Sequence, residues 1–358
     1  MPNRRSCSML VTAIFAAATG APAGSDATSD LGIKVRRLSP RVIVVNAGPW
    51  NNSYVAIATR KGIVVIDSGF SRTVAQAVRA AIQAEFKRSD FAFLINSHEH
   101  SDHIFGNGAY SDIPIVGSEQ MRAAILRMNS NRASIADRLA IPGQSLSRMR
   151  EELANNPKLK DDLQVAQGER FWKLVQADYS AGVELVPPAI TFDRRMALHL
   201  GDVSMHLFSF GHWHSDADTI ISIPEEGIVR LGAVLYAEHL PIIKNPYGPQ
   251  EALTGATVNH WIAVLKEVFA QADERTKFIS CHGWTVMSKA QCARQIAYLE
   301  KLWAEVRRAK TAGKTLQQAK EDLTRAQVFP EVAGLADSGL QVPNIHEHNV
   351  ETLWSAAQ

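Results

Sequence analysis

Apolar and polar positions along this chain alternate between two periods. Residues 41–46, 54–59 and 62–66 are short apolar runs that read as strands, and Lys61-Gly62 is the turn signal between the last two. Val74, Val78, Ala81, Ile82 and Phe86 then recur at helical spacing, with Lys87-Arg88 suited to a helix C-terminus. Residues 91–95 form a further buried strand. From residue 118 to about 185 the character changes. Ser118 is placed to cap a helix carrying Met121, Ala124, Ile125 and Met128, and more charge-rich helical stretches follow, broken at Pro142-Gly143 and Asn156-Pro157. After Pro187-Pro188 the strands resume at 196–200 and 203–210. A hairpin of 219–223 and 228–231 then turns at Pro224-Glu225-Glu226-Gly227. One helix carries Val258, Trp261, Ile262, Leu265 and Phe269. Residues 277–280 are a short strand, and Ser288 precedes a long helix whose Cys292, Ile296, Leu299, Trp303 and Val306 form a core stripe.

Strands with helices laid on them predict an α/β (α+β) layered sandwich. The main domain spans 41–328, with a helical insertion at about 118–185. That insertion is either an inert elaboration or a wall over a site. Residues 24–40 read as a polar linker. Residues 329–358 read as a weakly patterned tail whose His346 and His348 lie at the surface. No internal repeat is present.

Composition narrows the picture modestly. The 358 residues are 46% hydrophobic, enough for a large core, and the net charge of +2 leaves no footprint for nucleic acid or an anionic membrane. Arg4-Arg5, the apolar stretch 9–18 and Ala21-Pro22-Ala23 together predict a secretory signal over residues 1–23, hence a periplasmic or secreted protein. The mature chain then retains only Cys281 and Cys292, too few for a disulfide framework. A single bridge between them is open. Cys281, beside His282, reads as a small buried neighbour in preference to a ligand.

The chemistry gathers just after the strand at 91–95. Ser97-His98-Glu99-His100-Ser101-Asp102-His103 puts four potential metal ligands within six residues, in the spacing His-x-His-x-Asp-His. Imidazoles with one carboxylate suit zinc. His214 and His282 also follow strand-like runs, so strand ends at one edge of a sandwich would bring the three segments together.

These residues resemble the metallo-β-lactamase superfamily. The likeness is carried by Ile63-Val-Val-Ile-Asp67-Ser-Gly69, His98-x-His100-x-Asp102-His103, His214-Ser-Asp-Ala-Asp218 and Ile223-Pro-Glu-Glu226. The resemblance implies a four-layer αββα sandwich with up to two zinc ions. His98, His100 and His214 would hold the first; Asp102, His103 and His282 would hold the second. Asp102 would orient a shared hydroxide, and Asp67 would support the loop as an outer hydrogen-bond acceptor. His214 fits the superfamily run better than His212, which is followed by Trp213. One departure stands out: the bridging aspartate of the superfamily falls on Ala233, which cannot bind metal. The second site should then be weaker or more exposed unless Glu238 or His239 substitutes.

The function expected is an exported zinc-dependent hydrolase of a small ester, thioester or amide-like molecule. A β-lactamase of the subclass lacking a bridging acid or cysteine is the named alternative, and a metal-binding protein without turnover is the rival of another class. Small molecules are the expected partners. Trp50, Trp213, Trp284 and Tyr236 lie near the motifs and are candidates to line a pocket, although aromatics commonly sit in cores.

Overall fold

The computed structural model describes residues 31–244, 252–339 and 342–357. The signal expected at residues 1–23 lies outside them. Two sheets stack face to face. The first orders seven strands in sequence: β1 (Lys34–Arg37), β2 (Val42–Ala47), β3 (Asn52–Thr59), β4 (Gly62–Ile66), β5 (Phe91–Ile95), β6 (Ile115–Ser118) and β7 (Ile190–Phe192). β1 to β4 pair antiparallel and β4 to β7 parallel. The second sheet runs β13-β12-β11-β10-β9-β8, from β8 (Arg195–His199), β9 (Ser204–Gly211), β10 (Asp218–Ile223), β11 (Ile228–Gly232), β12 (Lys277–Ser280) and β13 (Val286–Met287). All its pairs are antiparallel except β11 with β12.

The alternation along β2 shows how the layers form. Val42 and Val44 join Val55, Ile57, Val64 and Ile66 against Met205, Leu207, Ile221 and Ile279 of the second sheet. Ile43 and Val45 point the other way, to Val74, Val78 and Ile82 of α1 (Arg72–Phe86). The outer face of the second sheet packs on α6 (Gly255–Gln271) and α7 (Lys289–Thr311) through Trp261, Leu265, Ile296 and Leu299. The result is an αββα sandwich, and no helix among the described residues is long and apolar enough to cross a membrane.

The insertion is helical, in α3 (Glu119–Ser130), α4 (Ala136–Asn155) and α5 (Leu163–Ala181), after the short α2 (Ser101–Ile104). Ser118 caps α3 by accepting from the Met121 N–H. Three expectations are corrected. Part of the linker at 24–40 is strand β1, because residues 34–37 pair with β2. The helix does not break at Pro142-Gly143: α4 runs through Pro142. The missing N–H costs one helical hydrogen bond, and burial of Leu146 with Phe171 and Trp172 of α5 offsets it. The tail is not loose. After α8 (Leu316–Asp322) and α9 (Arg325–Val328) it forms α10 (Ile345–Ala356), which buries Ile345, Val350 and Leu353 against α6 and α7. His346 is buried rather than at the surface, its ring nitrogens 3.0 Å from Tyr298 Oη and 2.6 Å from the Leu323 carbonyl. His348 is half-buried, with Nε2 2.7 Å from the Lys244 carbonyl.

Candidate metal centre

Strand ends deliver every candidate residue to one edge of the sandwich. β5 leads into Ser97–His103, β9 into His214, β12 into Cys281 and His282, and β4 into Asp67. Two hydrogen bonds stitch the sheets together there: the Thr219 N–H donates to the Ser97 carbonyl at 2.8 Å, and the Ser53 N–H to the Cys281 carbonyl at 2.8 Å. Glu99 adds a clip between loops, its Oε1 accepting the Asp216 N–H at 2.9 Å. The insertion reaches the same loop, where Arg138 Nη1 donates to the Glu99 carbonyl at 2.9 Å.

Two donor groups result. One ligand atom from each of His98, His100 and His214 lies within 4.8 Å of the others, and His103, Cys281 and His282 form a second such group. Asp102 joins the second, with Oδ2 2.9 Å from His103 Nε2 and 3.3 Å from His282 Nε2. The groups adjoin, with the His98 and His103 rings 4.1 Å apart. His212 stands outside both, its Nδ1 3.3 Å from Asp216 Oδ1. Glu238 and His239 also belong to neither group; His239 stacks on Tyr236 at 4.2 Å. Cys281 and Cys292 are both free thiols.

Outer partners fix the rings. Nδ1 of His98 lies 3.1 Å from Ser97 Oγ, that of His214 3.0 Å from the Ile242 carbonyl, and that of His282 3.1 Å from the Trp50 carbonyl. Asp67 Oδ1 accepts the Ser97 N–H and Oδ2 the Ser97 hydroxyl, both at 2.8 Å, and Oδ2 stands 3.3 Å from His103 Nδ1. Two partners were not singled out from the sequence. Asn52 Nδ2 donates to Asp102 Oδ2 at 2.8 Å. Arg230, fully buried, donates to Asp67 Oδ2 at 2.9 Å. Cys281, read from the sequence as a small buried neighbour of His282, is fully buried with its thiol within 4.8 Å of a ligand nitrogen from each of His103 and His282.

Burial and charge divide the two groups. Burial first, then the neighbouring His103 and His100, holds His98 far below the ordinary imidazole range; burial first, then His214, does the same for His100. Burial brings His214 to about 3. Burial would lower His103 too, but Asp102 and Asp67 outweigh it and raise it well above the ordinary range. Burial would raise Asp102, yet His103 and His282 hold it well below the usual carboxylate range. The first group is thus three neutral imidazoles and the second is built around a carboxylate.

These residues fit metal ions. His98 Nε2 and His100 Nε2 are buried without a hydrogen-bond partner, which is costly unless something accepts their lone pairs. An acid limb in stability follows for the metal-free protein. In the folded chain His98, His100 and His214 stay neutral well below 6.5, whereas the unfolded chain takes up protons there. The unfolded state binds more protons, so stability falls as pH drops below about 6.5, by up to about 1.4 kcal/mol per pH unit for each histidine. His103 and His282, both raised in the folded chain, oppose the trend only near pH 6.5, where the unfolded chain is still partly deprotonated, and are protonated in both states toward pH 4. Urea midpoints measured from pH 6.5 to 4 should fall; a flat midpoint contradicts the assignment.

Residues 47–135, which include Asp67 and the whole histidine cluster, match the family model described as the metallo-beta-lactamase superfamily. That match covers about a quarter of the chain. Solved structures agree on the fold. The inverting sec-alkylsulfatase Pisa1 from Pseudomonas sp. aligns over 90% of this chain and 50% of its own at 16% identity, TM-score 0.54. A double mutant of the same sulfatase aligns over the same shares at 15% identity, TM-score 0.59. The chain therefore spans about half the length of those sulfatase chains. A metallo-β-lactamase from Pontibacter korlensis aligns over 75% of this chain and 99% of its own at 14% identity, TM-score 0.49. No curated protein matches the chain in sequence.

A cavity of about 360 Å³ opens beside the second group, lined by Trp50, Asn51, Tyr236, Glu238, His239 and His282 among others. Gly283, at φ 88°, turns the chain away directly after His282, and a Cβ there would lie 3.3 Å from Glu238 Oε1. Of the four aromatics expected near the motifs, Trp50 and Tyr236 line this cavity. Trp213 is core, stacked on Trp261 at 3.7 Å, and Trp284 is exposed.

Proposed function

We propose that this chain is an exported zinc hydrolase that cleaves a small, uncharged ester, thioester or amide-like molecule in the cavity beside His282. The observation that carries the reading is the pair of adjoining donor groups, the second of which reaches through His282 into a cavity whose described lining has Glu238 but no lysine or arginine. His98, His100 and His214 would hold one zinc; Asp102, His103 and His282 would hold another. Zinc bound there supplies an activated water at neutral pH and polarises the carbonyl oxygen of the substrate. Asp102, held by Asn52 Nδ2, orients that water and keeps its own negative charge for the purpose. Trp50 and Tyr236 give the substrate an apolar wall. Export rests on the N-terminal signal pattern.

The lining also ranks the alternatives. An alkyl sulfate or a β-lactam carries a permanent anion, and the described wall offers it a carboxylate instead of a guanidinium or ammonium partner. β-Lactam hydrolysis is therefore the second reading, and loss of turnover through Ala233 the third. The test is turnover by the zinc-loaded mature protein of a chromogenic acetate ester, a thioester, a chromogenic cephalosporin and an aryl sulfate, each with and without chelator. Chelator-sensitive cleavage of the ester or thioester is expected, at least tenfold above the other two. Preference for the sulfate or the cephalosporin would replace this reading, and no turnover by protein with bound zinc would leave the binding protein.

A further inference from the structure

A buried cysteine is ordinarily an inert, small apolar residue, and Cys292 is such a case: its Sγ lies 4.0 Å from Met287 Sδ, within the apolar packing of α7. Cys281 has different neighbours. Its backbone is pinned on both sides, the N–H donating to the Gly232 carbonyl at 2.9 Å and the carbonyl accepting from Ser53 at 2.8 Å. That anchoring leaves its thiol within 4.8 Å of a ligand nitrogen from each of His103 and His282. Its apolar neighbours in the core are Ala233 and Tyr236. Ala233, where the resemblance read from the sequence would put a bridging carboxylate, thus belongs to the same small cluster as the thiol.

We propose that Cys281 is a ligand of the second metal position and replaces the donor that Ala233 cannot supply. The second observation is His103: it is fully buried, its ring nitrogens stand 2.9 Å from Asp102 Oδ2 and 3.3 Å from Asp67 Oδ2, and one of them shares a donor group with the thiol and with His282. Charge agrees. Asp102 and a Cys281 thiolate together carry two negative charges, which balance a divalent ion taken out of water; Asp102 alone leaves half of that charge unmatched. Donor chemistry agrees too, since carboxylate, imidazole and thiolate are all zinc ligands and thiolate favours zinc over magnesium or calcium. The two positions are then unlike. Three imidazoles leave an ion one position for water, whereas Asp102, His103, Cys281 and His282 can satisfy four. The second ion is consequently held firmly, contrary to the weaker site that Ala233 implies from the sequence.

The proposal rests on the metal reading above, and cobalt separates the two. Metal-free protein is titrated with Co(II) and followed by absorption, with bound metal counted at each step. One of the two equivalents should bring a thiolate-to-cobalt charge-transfer band in the near ultraviolet. Cys281→Ser and Cys281→Ala should lose that band while keeping the visible absorption of the first ion, and Cys292→Ser should keep both. Cys281→Ser should also surrender its second zinc to a competing chelator with more than about tenfold weaker affinity, at least what losing an outer partner would cause. If two equivalents bind to the wild-type protein without the band, or the band survives in Cys281→Ser, the thiol is not a ligand although the metal centre stands. The wild-type spectrum decides this even if the variants fold poorly. If neither cobalt nor zinc binds, the metal reading falls and this inference with it.

Discussion

Asp102→Asn should lower kcat by about 10²- to 10⁴-fold with little change in the far-ultraviolet circular dichroism. Asparagine keeps the shape of the side chain and an oxygen to accept the Asn52 Nδ2 hydrogen bond, now 2.8 Å long. What it removes is the charge. His103 Nε2 and His282 Nε2, 2.9 and 3.3 Å from the same Oδ2, lose their anionic partner, and the attacking water loses its acceptor. The loss should fall on kcat more than on KM, because Asp102 is not among the residues lining the substrate cavity. Steady-state kinetics on the best substrate of the panel, with bound metal measured alongside, gives the answer. Activity within tenfold of wild type in fully loaded protein would remove Asp102 from the reaction. A protein that only binds metal would have no kcat to lose, so the variant also distinguishes enzyme from binder.

The sandwich was legible in the sequence because both of its faces are buried. β2, β3 and β4 are apolar almost throughout, and the helices beside them keep a 3.6-residue stripe. The histidine cluster was legible because its members are neighbours in the chain. Asn52 and Arg230 were not, for the opposite reason: Asn52 meets Asp102 across 50 residues and Arg230 meets Asp67 across 163, and only strand register brings them together. Arg230 did leave a signal, as a charge inside the apolar strand Ile228-Val-Arg-Leu-Gly. A cation placed there needs a buried anion. Nothing in the local sequence of Cys281 tells a ligand thiol from a packed one, and only the fold brings His103 to it.

The tail went unrecognised through a similar effect. The polar residues that blur the stripe of α10 are themselves buried and bonded. Asn349 Nδ2 donates to the Pro241 carbonyl at 2.7 Å and its Oδ1 accepts the Ile243 N–H at 2.9 Å. The carbonyl of Ile242, between them, meets Nδ1 of His214 at 3.0 Å. The C-terminal helix therefore sets the segment that orients a candidate ligand, a long-range dependence that a hydrophobic pattern does not register.

Arg230→Met should destabilise the fold by about 3–5 kcal/mol, the cost of leaving a buried charge without its partner. Arg230 and Asp67 are both fully buried. The guanidinium also donates to Ser53 Oγ at 2.6 Å, to the Ser53 carbonyl at 2.7 Å and to the Ser280 carbonyl, tying β3 to β12 beneath the metal centre. Methionine fills similar space but strands the Asp67 carboxylate, which otherwise holds Ser97 and faces His103. Asp67→Asn strands the opposite charge and should also destabilise. The two together strand neither, so Arg230→Met/Asp67→Asn should be more stable than the sum of the single losses by at least about 1 kcal/mol. Urea unfolding of the four proteins, in the metal-free state so that metal binding does not add its own stabilisation, closes the cycle. Losses that add to within about 0.5 kcal/mol would show that the pair is not coupled. Coupling would instead make this buried pair the footing on which the strand ends meet, and both single variants should then retain less zinc although neither residue is a proposed ligand.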